Sequence, residues 1–112
     1  MANLPYTPLK RGSPERHIQL QIIKYLKLKG YAVGKIKTTG ARKGPAFLYD
    51  PYQFRGIPDL LVFSKDEMAF IEVKAPGNKQ TPEQKDFEKL CLGARVRYIL
   101  AKSLDDVMFY FP

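Results

Sequence analysis

Two carboxylates and a lysine lie near the outer ends of two apolar runs in residues 56–75, which read GIPDLLVFSKDEMAFIEVKA. Asp59 precedes one short apolar run, Glu72 lies near the end of a second run, and Lys74 follows two positions later. Carboxylate oxygens are hard ligands that suit Mg²⁺ or Mn²⁺, and such an ion polarises a phosphate and lowers the pKa of bound water. A nearby ammonium group can orient that water or stabilise charge on phosphate oxygens. These residue types are those that phosphodiester hydrolysis requires.

The segment that carries them has the pattern of a β-hairpin. Two apolar runs, Leu60–Phe63 and Met68–Val73, are separated by four polar residues. A two-residue turn between them would place Asp59 opposite Glu72, and Lys74 would point the same way as Glu72 because side chains alternate along a strand. Opposed carboxylates repel each other, and the lysine supplies only one positive charge. The hairpin therefore predicts a metal ion between the two acids.

A structural interpretation of each acid remains open at this point. Asp59 could cap a turn after Pro58. Glu72 and Lys74 could form an exposed ion pair on an edge strand, which would contribute little to stability.

A first helix is predicted from Pro14 to about Lys29. Ser13 is a suitable N-cap, proline fits the first helical position, and Gly30 suits the end. Glu15 could serve only the helix dipole. Because Glu15 lies three residues before Ile18, at the outer end of the apolar stripe that continues through Ile22 and Leu26, its carboxylate could also approach the acidic cluster.

A second helix is predicted to begin at Thr81 and to end at Gly93. The sequence Thr-Pro-Glu-Gln has both the capping-box pattern and a proline at the first helical position. Gln84 could do no more than close that box, or its amide could face the site, because it shares a stripe with Phe87 and Cys91. Cys91 is the single cysteine, so an internal disulfide and a cysteine-based zinc site are excluded.

The remaining elements complete a small α/β domain. Strands are predicted at Tyr31–Ile36 and Val96–Ala101, and a short last helix at Leu104–Phe111. The order is helix, strand, hairpin, helix, strand, helix, which is typical of a small mixed sheet flanked by helices. We expect a flexible arm at residues 1–12 and a single domain over residues 13–112.

The charge of the chain favours a polyanionic partner. Its 19 lysines and arginines outnumber 11 acidic residues, for a net charge of +8. A merely soluble basic surface is the alternative. No run approaches the roughly 18 apolar residues that a membrane span needs, and the first residues lack an apolar signal core, so we expect a cytoplasmic protein without a membrane partner.

Residues 38–57 form the least regular part of the sequence. Arg42, Lys43 and Arg55 are interleaved there with aromatic residues, a composition that suits contact with a nucleic-acid backbone and stacking on bases. Lys79, in the polar loop after the hairpin, is grouped with them as a candidate nucleic-acid contact. Alternatively, a short strand at Ala46–Tyr49 uses its aromatics to cover the core, and the two interpretations are compatible.

Taken together, these motifs resemble a known family. Glu15, the G-I-P-D sequence that ends at Asp59, the E-V-K triplet that ends at Lys74, and the T-P-E-Q sequence that ends at Gln84 occur in an order similar to that of the VRR-NUC domain. This domain belongs to the PD-(D/E)XK nuclease superfamily. The similarity spans roughly residues 13–101, although Gln80 stands where an aliphatic residue often precedes the serine or threonine.

The resemblance implies an αβββαβ core and a defined set of site residues. Asp59 and Glu72 would bind Mg²⁺ or Mn²⁺ together with the carbonyl of Val73. Lys74 would assist catalysis, and Glu15 and Gln84 would be supporting site residues. Stand-alone, phage-type members of the family look like homodimeric endonucleases that act on four-way (Holliday) DNA junctions. Because we expect no accessory domain, this chain resembles the stand-alone type.

The leading hypothesis from the sequence is a Mg²⁺- or Mn²⁺-dependent, structure-selective DNA endonuclease that acts as a homodimer on branched DNA in the cytoplasm of a bacterial or phage-infected cell. One alternative is a non-catalytic nucleic-acid-binding module with the same fold. Another is a restriction-type endonuclease that cuts a specific duplex sequence.

Overall fold

The computed structural model describes residues 13–37 and 50–112. In chain order these residues form helix α1 (Pro14–Leu28), strands β1 (Ala32–Lys35), β2 (Leu60–Phe63) and β3 (Met68–Val73), helix α2 (Pro82–Gly93), strand β4 (Arg97–Ala101) and helix α3 (Leu104–Met108). The predicted α/β class with a small mixed sheet is confirmed. The predicted arm at residues 1–12 and the alternative strand at residues 46–49 lie outside the described residues.

The sheet has the strand order β1-β2-β3-β4. β1 and β3 each run antiparallel to β2, and β4 is parallel to β3. The hairpin register is the predicted one, with Leu61 opposite Phe70 and Phe63 opposite Met68. Glu72 therefore lies on an interior strand of the sheet, paired on its other side with Leu100 of β4.

Alternate side chains of the hairpin face two different layers. The core face, which includes Leu60, Val62 and Ile71, is fully buried with Ile22 and Leu26 of α1. On the opposite face, the ring of Phe70 lies edge-on to that of Phe87 in α2, with ring centroids 5.1 Å apart. Because side chains alternate, Glu72 shares the α2 face with Phe70.

The two long helices begin and end as their sequences predict. Ser13 accepts a hydrogen bond from the backbone N–H of Arg16, and Gly30 adopts a φ of +89° just after α1. In α2, Thr81 and Gln84 form a complete capping box. Within the described ranges, no helix is both long enough and apolar enough to span a membrane.

The last helix is shorter than predicted. It ends at Met108 rather than continuing to Phe111. The chain turns there because Phe111 inserts into the core, where it is 3% exposed and its ring lies edge-on to Tyr31. The backbone carbonyl of Phe111 accepts a hydrogen bond from the Tyr25 hydroxyl, which ties the turn to α1.

Candidate active site

The hairpin brings three of the predicted site residues to one end of the sheet. Asp59 directly precedes β2, Glu72 lies near the end of β3, and Lys74 directly follows β3. The ammonium Nζ of Lys37, which follows β1, lies 3.4 Å from Asp59 Oδ1 and 3.7 Å from Glu72 Oε2. One cation thus contacts both carboxylates. Lys74 Nζ lies 3.9 Å from the same Glu72 oxygen.

Asp59 is held by the hairpin itself. Its Oδ2 accepts a hydrogen bond of 2.8 Å from the backbone N–H of Val73 on the neighbouring strand. The backbone carbonyl of Asp59 accepts another, of 3.0 Å, from the N–H of Ile36. Because these bonds use one carboxylate oxygen and the main chain, Oδ1 remains directed at Lys37, with which it is paired.

Glu72 is buried, with 1% of its surface exposed. The alternative of an exposed edge-strand ion pair is therefore wrong, because β3 is an interior strand and α2 covers this side chain. Glu72 Oε2 accepts a hydrogen bond of 3.0 Å from Gln84 Nε2, whereas Oε1 is buried without a hydrogen-bond partner among the residues that the structure describes. An orphaned carboxylate oxygen in a buried position is costly unless something positive or hydrogen-bonding meets it.

The surroundings of Glu72 make its charged form unfavourable. Burial raises the pKa of this carboxyl from its ordinary 4.5 to about 7, and repulsion from Asp59 acts in the same direction. Lys37 and Lys74 lower the pKa, and Glu15 adds a smaller increase. The two lysines therefore compensate only part of the cost of burying a second negative charge beside Asp59.

Gln84 performs both of the functions that its position suggested. Its Oε1 accepts a hydrogen bond of 2.9 Å from the backbone N–H of Thr81, which completes the capping box. Its Nε2 donates to Glu72 across the gap between helix and sheet. The first turn of α2 therefore orients the buried carboxylate of Glu72.

Glu15 contacts the segment that follows Lys74. Its Oε2 accepts a hydrogen bond of 2.6 Å from Asn78 Nδ2 and one of 3.3 Å from the backbone N–H of Ala75. The side chain thus does more than interact with the dipole of α1, since it ties this helix to the loop after β3. Its charge is close enough to influence the pKa of Glu72.

The donor set fits a hard divalent cation. Asp59 and Glu72 both contact one ammonium group, so they are close enough to share one cation, and Glu72 has a buried oxygen with no partner in the described part of the chain. Within residues 13–37 and 50–112, no cluster of three or more His, Cys, Asp or Glu side chains could hold a metal ion. Further ligands would have to be backbone, water or phosphate oxygens, as is common for Mg²⁺.

Gly56 fixes the segment before Asp59 against α2. It has a φ of +70°, and a Cβ built on it would lie 2.2 Å from the carbonyl oxygen of Glu83. Only glycine tolerates both the left-handed conformation and this approach of two backbones. Close packing against the backbone of α2 thus explains why a glycine stands in the G-I-P-D sequence.

Of the predicted nucleic-acid contacts, Arg55 lines a cleft together with Lys37 and Gln84. Lys79 is exposed in the loop between β3 and α2. Arg42 and Lys43 lie outside the described residues. Gln80, the departure from the family pattern, donates 3.1 Å hydrogen bonds to Glu88 and to the Tyr98 hydroxyl, so a polar bridge between α2 and β4 stands at that position.

The fold agrees with one already seen in a solved structure. A solved structure described as a VRR_NUC domain superposes on the chain with a TM-score of 0.67 and 20% sequence identity, covering 89% of this chain and 96% of that one. This chain has the VRR_NUC fold. No protein-family model matches its sequence, and no curated protein does. The fold predicted from the motif order is therefore confirmed by three-dimensional similarity.

Proposed function

We propose that this VRR_NUC-fold chain is a Mg²⁺- or Mn²⁺-dependent DNA endonuclease. The observation that carries the proposal is that Asp59 and Glu72, predicted as metal ligands, both contact a single cationic group at one end of the sheet. The partnerless Oε1 of Glu72 and its raised pKa also favour a site that requires positive charge. The similarity of the motifs to nuclease motifs agrees with this chemistry.

The residues around the acids have distinct parts in the proposed reaction. Asp59, Glu72 and the carbonyl of Val73 would hold the ion, which when bound supplies polarisation of the phosphate and a water of lowered pKa. Lys74, whose side chain is 12% exposed, would stabilise charge that develops on the phosphate oxygens. Gln84 orients Glu72, and Glu15 holds the segment that follows Lys74.

The proposed substrate is branched DNA, with four-way junctions as the leading candidate. The net charge of +8 suits a nucleic-acid backbone. The preference for a branch and the action as a homodimer follow from the resemblance, since two copies would present two sites to one junction.

The test is cleavage of four-way junction, flap, single-stranded and linear duplex DNA with Mg²⁺ or Mn²⁺. Asp59→Asn, which weakens a metal ligand, and Lys74→Met, which removes the charge stabiliser, should each reduce cleavage by about a hundredfold or more. The matched controls are Asp66→Asn and Lys65→Met, which change the same residue types in the exposed turn at the other end of the hairpin. The controls should cleave as the unmodified protein does.

Two further outcomes separate the alternatives. EDTA should abolish cleavage while DNA binding persists. A chain that binds branched DNA but cuts none of the substrates with either metal ion would be a binding module, and cleavage at one duplex sequence would indicate a restriction-type enzyme. Light scattering at the protein concentration of the assay tests the proposed dimer.

A further inference from the structure

A cleft of about 520 Å³ borders the carboxylate site. Lys37 and Gln84 belong to both, because each lines the cleft and contacts Glu72. The cleft is also lined by Phe54 and Arg55, and its acidic residues are Asp50 and Glu83. Its volume lies within the range of about 300–1,000 Å³ that small-molecule sites occupy. A group bound there would lie beside any phosphate that reaches the two carboxylates.

Phe54 lines this cleft, and its aromatic ring packs against a neighbouring ring in α2. Its side chain is 67% exposed, yet its ring lies edge-on to Phe87, with ring centroids 5.7 Å apart and planes at 87°. Phe87 is buried and lies edge-on in turn to Phe70 of β3. This aromatic row fixes the ring to the sheet while most of its surface remains open to a ligand.

The loop that carries Phe54 has local hydrogen bonds at its start and packs against α2 at its end. At its start, Asp50 Oδ1 accepts a 2.9 Å hydrogen bond from the N–H of Tyr52, and the Asp50 carbonyl accepts one from Gln53. At its end, Gly56 lies directly against the backbone of Glu83. These contacts restrict the loop, so an exposed phenylalanine on it loses less conformational entropy on binding a flat ligand than one on an unrestricted loop.

We propose that Phe54 is a stacking platform for an unpaired nucleobase, adjacent to the phosphate that the carboxylate site would cut. Every base has a π-face that can stack on an aromatic side chain, whereas bases inside a duplex already stack on their neighbours. Lys37 and Arg55 supply positive charge for the flanking phosphates, and carboxylates of Asp50 and Glu83 can accept hydrogen bonds from base amino groups. A preference for cutting DNA beside unpaired nucleotides would follow from this stacking, and that preference rests on the proposed nuclease function. The stacking itself does not.

Stacking is tested by binding in EDTA, where no cleavage is expected. The probe is a short single strand with one 2-aminopurine between two abasic sites, so that a fall in its emission reports stacking on the protein. Phe54→Leu keeps an apolar side chain against Phe87 but cannot stack, and it should bind roughly tenfold more weakly, with little change in emission. Phe54→Tyr should retain both the affinity and the emission change.

The matched control is Phe109→Leu. Phe109 is also a highly exposed phenylalanine, 79% exposed and edge-on to a neighbouring ring, that of Tyr110. It lines a different pocket, with Tyr98 and Asp105 among its neighbours, so the control should bind the probe as the unmodified chain does. Thermal unfolding of each variant shows whether a loss of binding comes from loss of the fold.

The preference for unpaired nucleotides at the cut is tested by comparing cleavage of a flap with cleavage of the corresponding paired duplex, both with Mg²⁺. Phe54→Leu should lose most of the preference for the flap while it still cuts DNA in a metal-dependent way. Equal probe binding and equal emission change in Phe54→Leu and the unmodified chain would overturn the stacking proposal. Absence of cleavage by the unmodified chain, with stacking retained, would overturn the nuclease function and leave the stacking platform supported.

Discussion

Replacing Glu72 by glutamine should stabilise the metal-free protein at pH 8 and remove much of the pH dependence of its stability. The carboxyl is 1% exposed and lies beside Asp59, so its charged form is costly in the folded state. Glutamine has nearly the same shape and carries no charge. Its amide oxygen can still accept the hydrogen bond from Gln84.

The magnitude follows from the shift in pKa. The carboxyl titrates near 4.5 in the unfolded chain and at about 7 in the fold, so between these values the folded state binds more protons than the unfolded state. The free energy of unfolding therefore falls as the pH rises through this window and levels off above it. Between pH 5 and pH 8 the loss is about 2–3 kcal/mol. In a domain of this size, that corresponds to roughly 10 °C in the unfolding temperature.

The assay is urea or thermal unfolding in EDTA at several pH values from 5 to 8. Unmodified protein should lose stability over this range, and Glu72→Gln should lose about 2–3 kcal/mol less. Glu83→Gln is the control, since Glu83 is an exposed glutamate one position before Gln84 in the first turn of α2. It should follow the pH dependence of the unmodified chain.

Addition of Mg²⁺ or Mn²⁺ extends the same experiment. Either ion should stabilise the unmodified chain at pH 8, because it provides positive charge to the two carboxylates, and should stabilise Glu72→Gln much less. The reasoning is refuted if unmodified protein and Glu72→Gln lose stability in parallel from pH 5 to pH 8. Such a result would mean that Glu72 carries its charge in the fold at no cost.

Two other substitutions test parts of the site that the hairpin alone does not explain. Lys37→Met removes the cation that contacts both carboxylates, so it should tighten Mn²⁺ binding by roughly twofold to fivefold, as measured by calorimetry. The effect is modest because the lysine side chain is 37% exposed and water screens its charge. Weaker binding, or the same gain in Lys35→Met on the exposed part of β1, would contradict this competition. Gly56→Ala should destabilise the fold by about 3 kcal/mol, since its Cβ would meet the Glu83 carbonyl at 2.2 Å and its φ is +70°. Gly77→Ala, with a φ of +92° and open space around it, should cost only the conformational part, and equal losses in both variants would refute the packing argument.

Interactions between residues close in sequence made much of the fold predictable. The register of the hairpin follows from a two-residue turn, because antiparallel pairing then determines every partner. The ends of α1 and α2 follow from the local chemistry of Ser13, Gly30 and Thr81. The same local geometry places Asp59, Glu72 and Lys74 at one end of the sheet.

Contacts between distant parts of the chain decided the rest. Lys37 reaches the carboxylates because β1 pairs with β2, with Lys35 opposite Leu60, across a long intervening segment whose length sets no register. α3 ends early because Phe111 packs against Tyr31, although nothing in the sequence near Met108 stops a helix. The burial of Glu72 requires both β4 and α2. Turns, caps and strand alternation depend on neighbours in the chain and can be read from it, whereas burial and the cost of a charge depend on what packs from elsewhere.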